Sequence, residues 1–120
     1  MNINPDTNAI SVHGREALNL PYKRWATEED GTRVQLDISS ATMFLEIPGA
    51  RLRRPLTVDA SDPKGLRIYL ERADVERLPT VETPYIIVDE TDEDYPLVEL
   101  EGAIIRTGYK GAPTDPIVVP

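Results

Sequence analysis

Hydrophobic and polar residues alternate along the chain in short runs, and proline or glycine separates one run from the next. Alternation of this kind predicts β-strands that bury one face and expose the other. The clearest example is the run GLRIYLE, which places Leu66, Ile68 and Leu70 on one face. We therefore expect these three residues in the core, with Arg67 and Tyr69 facing solvent or a partner.

Seven other runs predict strands on the same grounds. They are residues 9–13, 18–25, 34–38, 42–47 and 51–58, together with PYIIV and LVELEGAIIR. The alternating residues of the second and third runs are Leu18, Leu20 and Tyr22, and Val34, Leu36 and Ile38. Pro55 places residues 51–58 at a sheet edge, because a proline interrupts the ladder of a central strand. ERADVERLP is the one helix-like run, and Pro79 is expected to stop it.

Short strands separated by turns predict a β-sandwich. The strands do not alternate with long helices, so a parallel sheet is not expected. The predicted fold is all-β: an immunoglobulin-like β-sandwich of about seven strands with one short helix. Within it, we expect residues 1–17 to form an N-terminal arm and a first short strand, residues 18–109 the sandwich, and residues 110–120 an extended C-terminal tail.

Length and composition narrow the function classes. A chain of 120 residues fits one domain, and its net charge of −8 argues against nucleic-acid binding, which needs a basic face. No run approaches the ~20 apolar residues of a membrane-spanning helix, and we expect no secretory signal. The absence of cysteine excludes disulfides and thiolate metal sites. We therefore expect synthesis in a cytoplasm, with neither nucleic acid nor membrane as a partner.

One basic cluster, RLRRP, stands out in this acidic chain and contains Arg51, Arg53 and Arg54. A cluster of this size is typical of a solvated strand edge or of a contact with an acidic partner, and less typical of a phosphate site. Arg53 and Arg54 are therefore candidate partner-binding residues.

The run VDETDEDY carries five acids, which are Asp89, Glu90, Asp92, Glu93 and Asp94. It does not fit a calcium-binding EF-hand loop, because Asp94 stands where that loop needs a glycine. Catalytic carboxylates need pKa values that are pushed apart, whereas acids on a short loop are solvated and equivalent. We expect a solvated β-hairpin tip, with a looser calcium site at Asp92 and Asp94 as the alternative.

The remaining candidate residues offer little catalytic chemistry. His13 is the only histidine, and no nucleophile elbow or phosphate loop accompanies it, so we expect no enzyme activity and no cofactor. Trp25 is expected in the core, with an exposed Tyr22/Trp25 anchor at a protein interface as the alternative. Tyr85 either fills the core or donates a tyrosine-corner-like hydrogen bond to upstream backbone.

The C-terminal tail, GYKGAPTDPIVVP, carries three β-branched residues, Ile117, Val118 and Val119, next to its last proline. Exposed apolar residues are unfavourable on an isolated domain, so we expect this segment to have a binding site. The site is either a groove on the same chain or a neighbouring subunit that accepts an added strand. The neighbour is favoured because Pro116 interrupts a self-pairing ladder.

The order of features from residue 30 onward resembles the small immunoglobulin-like domain of tailed-bacteriophage tail and baseplate components, including the N-terminal region of siphophage baseplate upper proteins. The resemblance covers roughly residues 18–108 and consists of spacing, without a catalytic signature. The residues that match it are Leu36, Asp37, Ser39, Gly65, Leu70, Leu78, Pro79, Tyr85, Leu100, Gly102 and Ile104.

This resemblance implies a non-enzymatic structural component of a tailed-phage virion, in the tail, baseplate, neck or capsid surface. Its partners would be other virion structural proteins, and it would form a symmetric multimer in the particle after synthesis in the host cytoplasm. The alternative is a carbohydrate-binding or adhesion domain, either calcium-dependent or calcium-independent. The candidate partner-binding residues are Tyr22, Trp25, Arg53, Arg54, Ile117, Val118 and Val119.

Overall fold

A computed structural model of the chain describes residues 3–79 and 81–107, and these residues form ten β-strands and one short α-helix. The strands are β1 (Ile10–His13), β2 (Leu18–Tyr22), β3 (Trp25–Thr27), β4 (Arg33–Gln35), β5 (Met43–Ile47), β6 (Leu52–Pro55), β7 (Thr57–Val58), β8 (Leu66–Leu70), β9 (Glu82–Asp89) and β10 (Leu97–Thr107). The helix α1 spans Arg72–Glu76, and a single 3₁₀ turn spans Pro48–Ala50. The mostly β prediction is confirmed, with more strands than the seven or so expected.

The strands form three sheets. The largest has the order β1-β10-β9-β5-β6, the second has the order β2-β8-β7, and β3 pairs with β4 alone. Among these pairs only β1 and β10 run parallel, so no sheet of the described residues is a parallel sheet, as expected. Parallel neighbours need a long connection between them. Because β1 and β10 are the first and last strands described, all the strands between them provide that connection.

The core lies between the two larger sheets. On β8, Leu66, Ile68 and Leu70 are buried and Tyr69 is exposed, as the alternation predicted, while Arg67 is half-buried. The residues that the five-stranded sheet contributes include Ile10, Val12, Met43, Leu45, Ile47, Tyr85, Ile87 and Ile104. Their burial follows from period-two alternation on each strand.

The predicted strand at residues 51–58 is divided between the two larger sheets. β6 is an edge strand of the five-stranded sheet and β7 is an edge strand of the three-stranded sheet. Between them Leu56 is buried, and its N–H donates to the carbonyl of Met43 at 2.9 Å. The edge position is therefore confirmed, while the chain changes sheets immediately after Pro55.

The predicted strand at residues 34–38 is wrong in both its length and its buried face. β4 covers only three residues, Val34 is 38% exposed and Leu36 is 43% exposed, and only Ile38 is buried. The reason is that β4 pairs with β3 in a two-stranded hairpin, so neither larger sheet covers this alternation. The hairpin turn contains Gly31 at a φ of 86°, a left-handed conformation that glycine adopts without strain.

The predicted helix and the predicted acidic hairpin are both confirmed. α1 lies within the ERADVERLP run and ends before Pro79. β9 and β10 form an antiparallel pair on either side of the acidic loop. The tail at residues 110–120, with Ile117, Val118 and Val119, lies outside the described residues.

Candidate functional site

A cleft of about 670 Å³ opens where the N-terminal arm, the bend between β2 and β3, and the start of β10 meet. We call it the Trp25 cleft, after its largest exposed side chain. It is lined by Ile3, Pro5, Pro21, Tyr22, Lys23, Arg24, Trp25, Glu99 and Leu100. Most of the lining is apolar, and the polar groups lie on the β2–β3 bend and on β10.

The wall formed by the N-terminal arm is fixed by Asn8, which has a left-handed φ of 58°. The Tyr85 hydroxyl donates to the Asn8 carbonyl at 2.6 Å, and the Asn8 side-chain amide donates to the Glu101 carbonyl at 3.1 Å. Gly102 permits this approach, since a Cβ there would overlap the Asn8 carbonyl oxygen. The arm is therefore attached to β9 and β10 before it reaches the cleft.

Tyr85 donates a hydrogen bond to upstream backbone, but its acceptor lies in the N-terminal arm. In a tyrosine corner the acceptor lies only a few residues before the tyrosine. Burial raises the pKa of the Tyr85 hydroxyl to about 12. The hydroxyl consequently remains a hydrogen-bond donor throughout the physiological range, and it both fills the core and holds the arm.

The polar part of the cleft is an ion pair between Arg24 and Glu99. Glu99 is the extra residue of a β-bulge between Val98 and Leu100, and the bulge allows its carboxylate to meet Arg24. Arg24 Nη1 also donates to the Tyr22 hydroxyl at 3.5 Å, and this bond together with the Glu99 charge raises the pKa of Arg24. Burial raises the pKa of Tyr22. The charges of Arg24 and Glu99 neutralise each other.

Exposed apolar side chains surround this ion pair. Trp25 is 47% exposed, and the Arg33 guanidinium lies 5.0 Å from the centre of its ring. A second cleft of about 480 Å³ on the other side of Arg24 and Glu99 is lined in part by Leu36, and a third depression beside Glu99 is lined in part by Val98. The clefts and their rims thus form one continuous surface.

The two aromatic residues that the sequence grouped as an anchor both line the Trp25 cleft but differ in burial. Tyr22 is only 4% exposed, so the exposed position predicted for it in the anchor is wrong, and the core position expected for Trp25 is wrong as well. The reason is that β2 ends at Tyr22, whose side chain still points into the core. Lys23 and Arg24 then carry the chain into the separate β3–β4 hairpin, where Trp25 remains 47% exposed.

Arg53 and Arg54 make contacts within the molecule. Arg53 forms ion pairs with Glu46 and Glu90 and lies 3.9 Å from the centre of the Phe44 ring. Arg54 donates two hydrogen bonds to Asp74 of α1, at 3.1 and 2.8 Å. Both arginines therefore neutralise acids of their own chain, and neither offers an unpaired charge to an acidic partner.

The acidic loop is organised by its own hydrogen bonds. The Asp89 carboxylate accepts from the backbone N–H of Thr91 at 2.9 Å and from its hydroxyl at 2.6 Å, and Asp92 accepts from the N–H of Asp94 at 3.1 Å. Within residues 3–79 and 81–107, no group of three or more histidine, cysteine or acidic side chains is placed to hold a metal ion. The geometry is that of a hairpin tip closed by Asx turns.

Sequence reasoning did not identify Arg24 and Glu99 as partners. The available signal was the break in alternation at the start of β10, where Leu97 and Val98 are adjacent and Glu99 precedes Leu100. Such a break indicates a bulge but does not identify the residue that the bulged side chain will contact.

Among the described residues, no helix is long and apolar enough to cross a membrane. Compared with known protein families and with curated protein sequences, the chain matches none.

Proposed function

We propose that the chain is an immunoglobulin-like β-sandwich that serves as a non-enzymatic connector in a tailed-phage virion. In this proposal it is synthesised in the host cytoplasm and binds other virion structural proteins through the Trp25 cleft and its rim.

The strand order supports the immunoglobulin-like assignment. In immunoglobulin sandwiches of the variable type, strands G, F, C and C′ share one sheet and B, E and D share the other. The sheets β10-β9-β5-β6 and β2-β8-β7 follow this order, and β1 occupies the edge beside G. The β3–β4 hairpin and α1 are additions, placed between B and C and between E and F.

The observation that carries the binding proposal is the set of exposed apolar side chains around the Arg24–Glu99 pair. Trp25 is 47% exposed, Leu36 is 43% exposed and Val98 is 55% exposed, all of them next to clefts. Clustered exposed apolar residues around a concave surface mark interaction sites, and tryptophan concentrates binding energy there. The charges of Arg24 and Glu99 pair with each other within the cleft, which leaves the apolar side chains around them as the groups that bind a partner.

A carbohydrate-binding or adhesion function is the second candidate, and the exposed Trp25 ring favours it. A half-exposed aromatic ring beside a carboxylate and a guanidinium provides both a stacking surface and hydrogen-bonding groups for a sugar. The Arg33 side chain already occupies one position over that ring.

The proposed function is tested by mass spectrometry of purified phage particles that assemble with the wild-type chain, with Trp25→Ala or with Tyr69→Ala. Tyr69 is a matched control because it is 43% exposed and lies outside the cleft. We expect the wild-type and Tyr69→Ala chains in the particles and a strong loss of Trp25→Ala. Absence of the wild-type chain from the particles, combined with binding to an oligosaccharide, would favour the second candidate.

A further inference from the structure

The Trp25 cleft has the chemistry of a site for an extended apolar peptide. Ile3, Pro5 and Leu100 supply aliphatic walls, and Trp25 supplies an aromatic rim. Arg33 lies against the Trp25 ring, and no acidic side chain among residues 3–79 and 81–107 forms an ion pair with it. An occupant with apolar residues and one nearby carboxylate would complement both features.

The chain itself contains a segment with this chemistry. Residues 112–120, APTDPIVVP, combine three aliphatic residues with three prolines and one acid, Asp115. Prolines preset an extended backbone and lower the entropic cost of binding in an aromatic-lined groove. Asp115 lies two residues before Ile117, so the segment carries one carboxylate close in sequence to its aliphatic residues.

Thr107, the last residue that the structure describes, lies at the opposite end of β10 from the cleft of its own chain. From Leu100 to Thr107 the strand spans about 23 Å, at about 3.3 Å per residue. Nine residues separate Thr107 from Ile117. Ten Cα–Cα steps therefore join Thr107 to Ile117. A tight reversal uses about three of them, and the other seven span about 22 Å, at about 3.1 Å per residue in an extended proline-rich segment. Ile117 would thus only just reach the level of Leu100 and would have no slack to enter the cleft. The lateral positions beside β10 are also occupied, by β1 and β9.

We propose that residues 112–120 of one copy bind in the Trp25 cleft of a second copy. This inference rests on the proposed binding function of the cleft and names its partner. A tail and a cleft are different surfaces, so the contact is head-to-tail and propagates to a ring or a filament. One short segment buries little area, so each contact is weak and association requires high protein concentration.

The experiment uses two full-length variants that are complementary. Trp25→Glu damages the cleft and keeps the tail, whereas a chain with Ile117→Asp and Val119→Asp damages the tail and keeps the cleft. Tyr69→Glu is the control for the cleft variant, because it adds the same charge at an exposed aromatic position outside the cleft. Circular dichroism verifies the fold of each variant, and sedimentation velocity measures its association.

We expect the wild-type chain and Tyr69→Glu to form head-to-tail assemblies, and each damaged variant alone to associate roughly tenfold or more weakly. An equimolar mixture of the two damaged variants should form a one-to-one dimer, because only one cleft and one tail remain. Wild-type chains that stay monomeric at high concentration would overturn the inference. So would a mixture that forms no dimer.

A second measurement does not depend on the folding of Trp25→Glu. Trp25 is the only tryptophan of the chain, so its fluorescence reports directly on the cleft. The tail variant, titrated with a synthetic peptide of residues 111–120, should show a saturable blue shift that a peptide with Ile117→Asp and Val119→Asp does not produce. No shift with the native peptide contradicts the inference. If that negative result accompanies normal incorporation of the wild-type chain into particles, the connector function stands and only the tail contact fails.

Discussion

Two segments of this protein have the same alternation of side chains and opposite environments. In β8, Leu66, Ile68 and Leu70 are almost completely buried. In and after β4, Val34 and Leu36 occupy equivalent alternate positions and are 38% and 43% exposed. Alternation therefore specifies which residues share a face, but not whether a second sheet covers that face.

The difference arises from the neighbours of each strand. β8 lies between β2 and β7, in a sheet whose inner face packs on the five-stranded sheet. Within the described residues, β4 pairs only with β3. Gln35 donates to Asp62 at 2.8 Å, and after β4 the Ile38 N–H donates to the Lys64 carbonyl at 3.0 Å while the Ile38 side chain enters the core. We infer that β8 stabilises the fold, whereas the β3–β4 hairpin presents apolar side chains for binding.

The largest expected effect separates the two segments directly. Ile68→Ala should lower the free energy of unfolding by about 2–5 kcal/mol, because it leaves a cavity in the core. Leu36→Ala, at an equivalent position of the other alternation, should change it by no more than about 0.5 kcal/mol. Urea denaturation measures both. Similar losses for the two variants would mean that the hairpin is part of the core.

The sequence was sufficient for β8, because its alternation follows a turn, SDPKG, that fixes where the strand begins. The sequence was insufficient for Trp25, because the exposure of Trp25 depends on the end of β2 at Tyr22. Neither Lys23 nor Arg24, the two residues that follow, indicates that the strand ends there. The cleft itself was beyond prediction, since the contact between Asn8 and Gly102 joins residues far apart in sequence. Long-range contacts of this kind leave no local pattern.

The next effect concerns the wall of the cleft. Gly102→Ala should destabilise the fold by about 1–3 kcal/mol, because the added methyl group collides with the Asn8 backbone and forces the N-terminal arm away. Thermal unfolding measures the loss, and the emission of Trp25 should change as the arm moves. Gly49→Ala is a suitable control, because its Cβ would make only an ordinary contact with Pro79. If both glycine variants behave alike, the close approach of the arm is not required.

A smaller effect concerns the polar attachment of the hairpin. The side-chain bond from Gln35 and the N–H of Lys64 hold the pKa of Asp62 below its usual value of 3.8. Because the pKa of Asp62 is lowered in the folded state, its ionised carboxylate stabilises that state at pH values above 3.8. This contribution is lost as the pH falls through the lowered pKa. Acid titration should therefore change Trp25 fluorescence below about pH 4. Gln35→Ala should move this transition to higher pH. A transition that Gln35→Ala leaves in place would contradict the attachment.

The smallest effect is expected at the other hairpin tip. Asp89 and Asp92 accept hydrogen bonds from their own loop, and Glu90 pairs with Arg53. Millimolar calcium should therefore leave the unfolding midpoint unchanged, since only a ligand that binds the native state raises it. A rise of several degrees at sub-millimolar calcium would contradict this and favour the adhesion function.

Amide hydrogen exchange of the wild-type chain at low and high protein concentration tests the division between a core strand and a binding hairpin most directly. We expect the amides of β8 to be strongly protected at both concentrations. The amides of β3, β4 and the first residues of β10 should exchange readily in dilute solution and gain protection only where the chain associates. Equal protection of β4 and β8 in the dilute monomer, or no change at high concentration, would contradict the account.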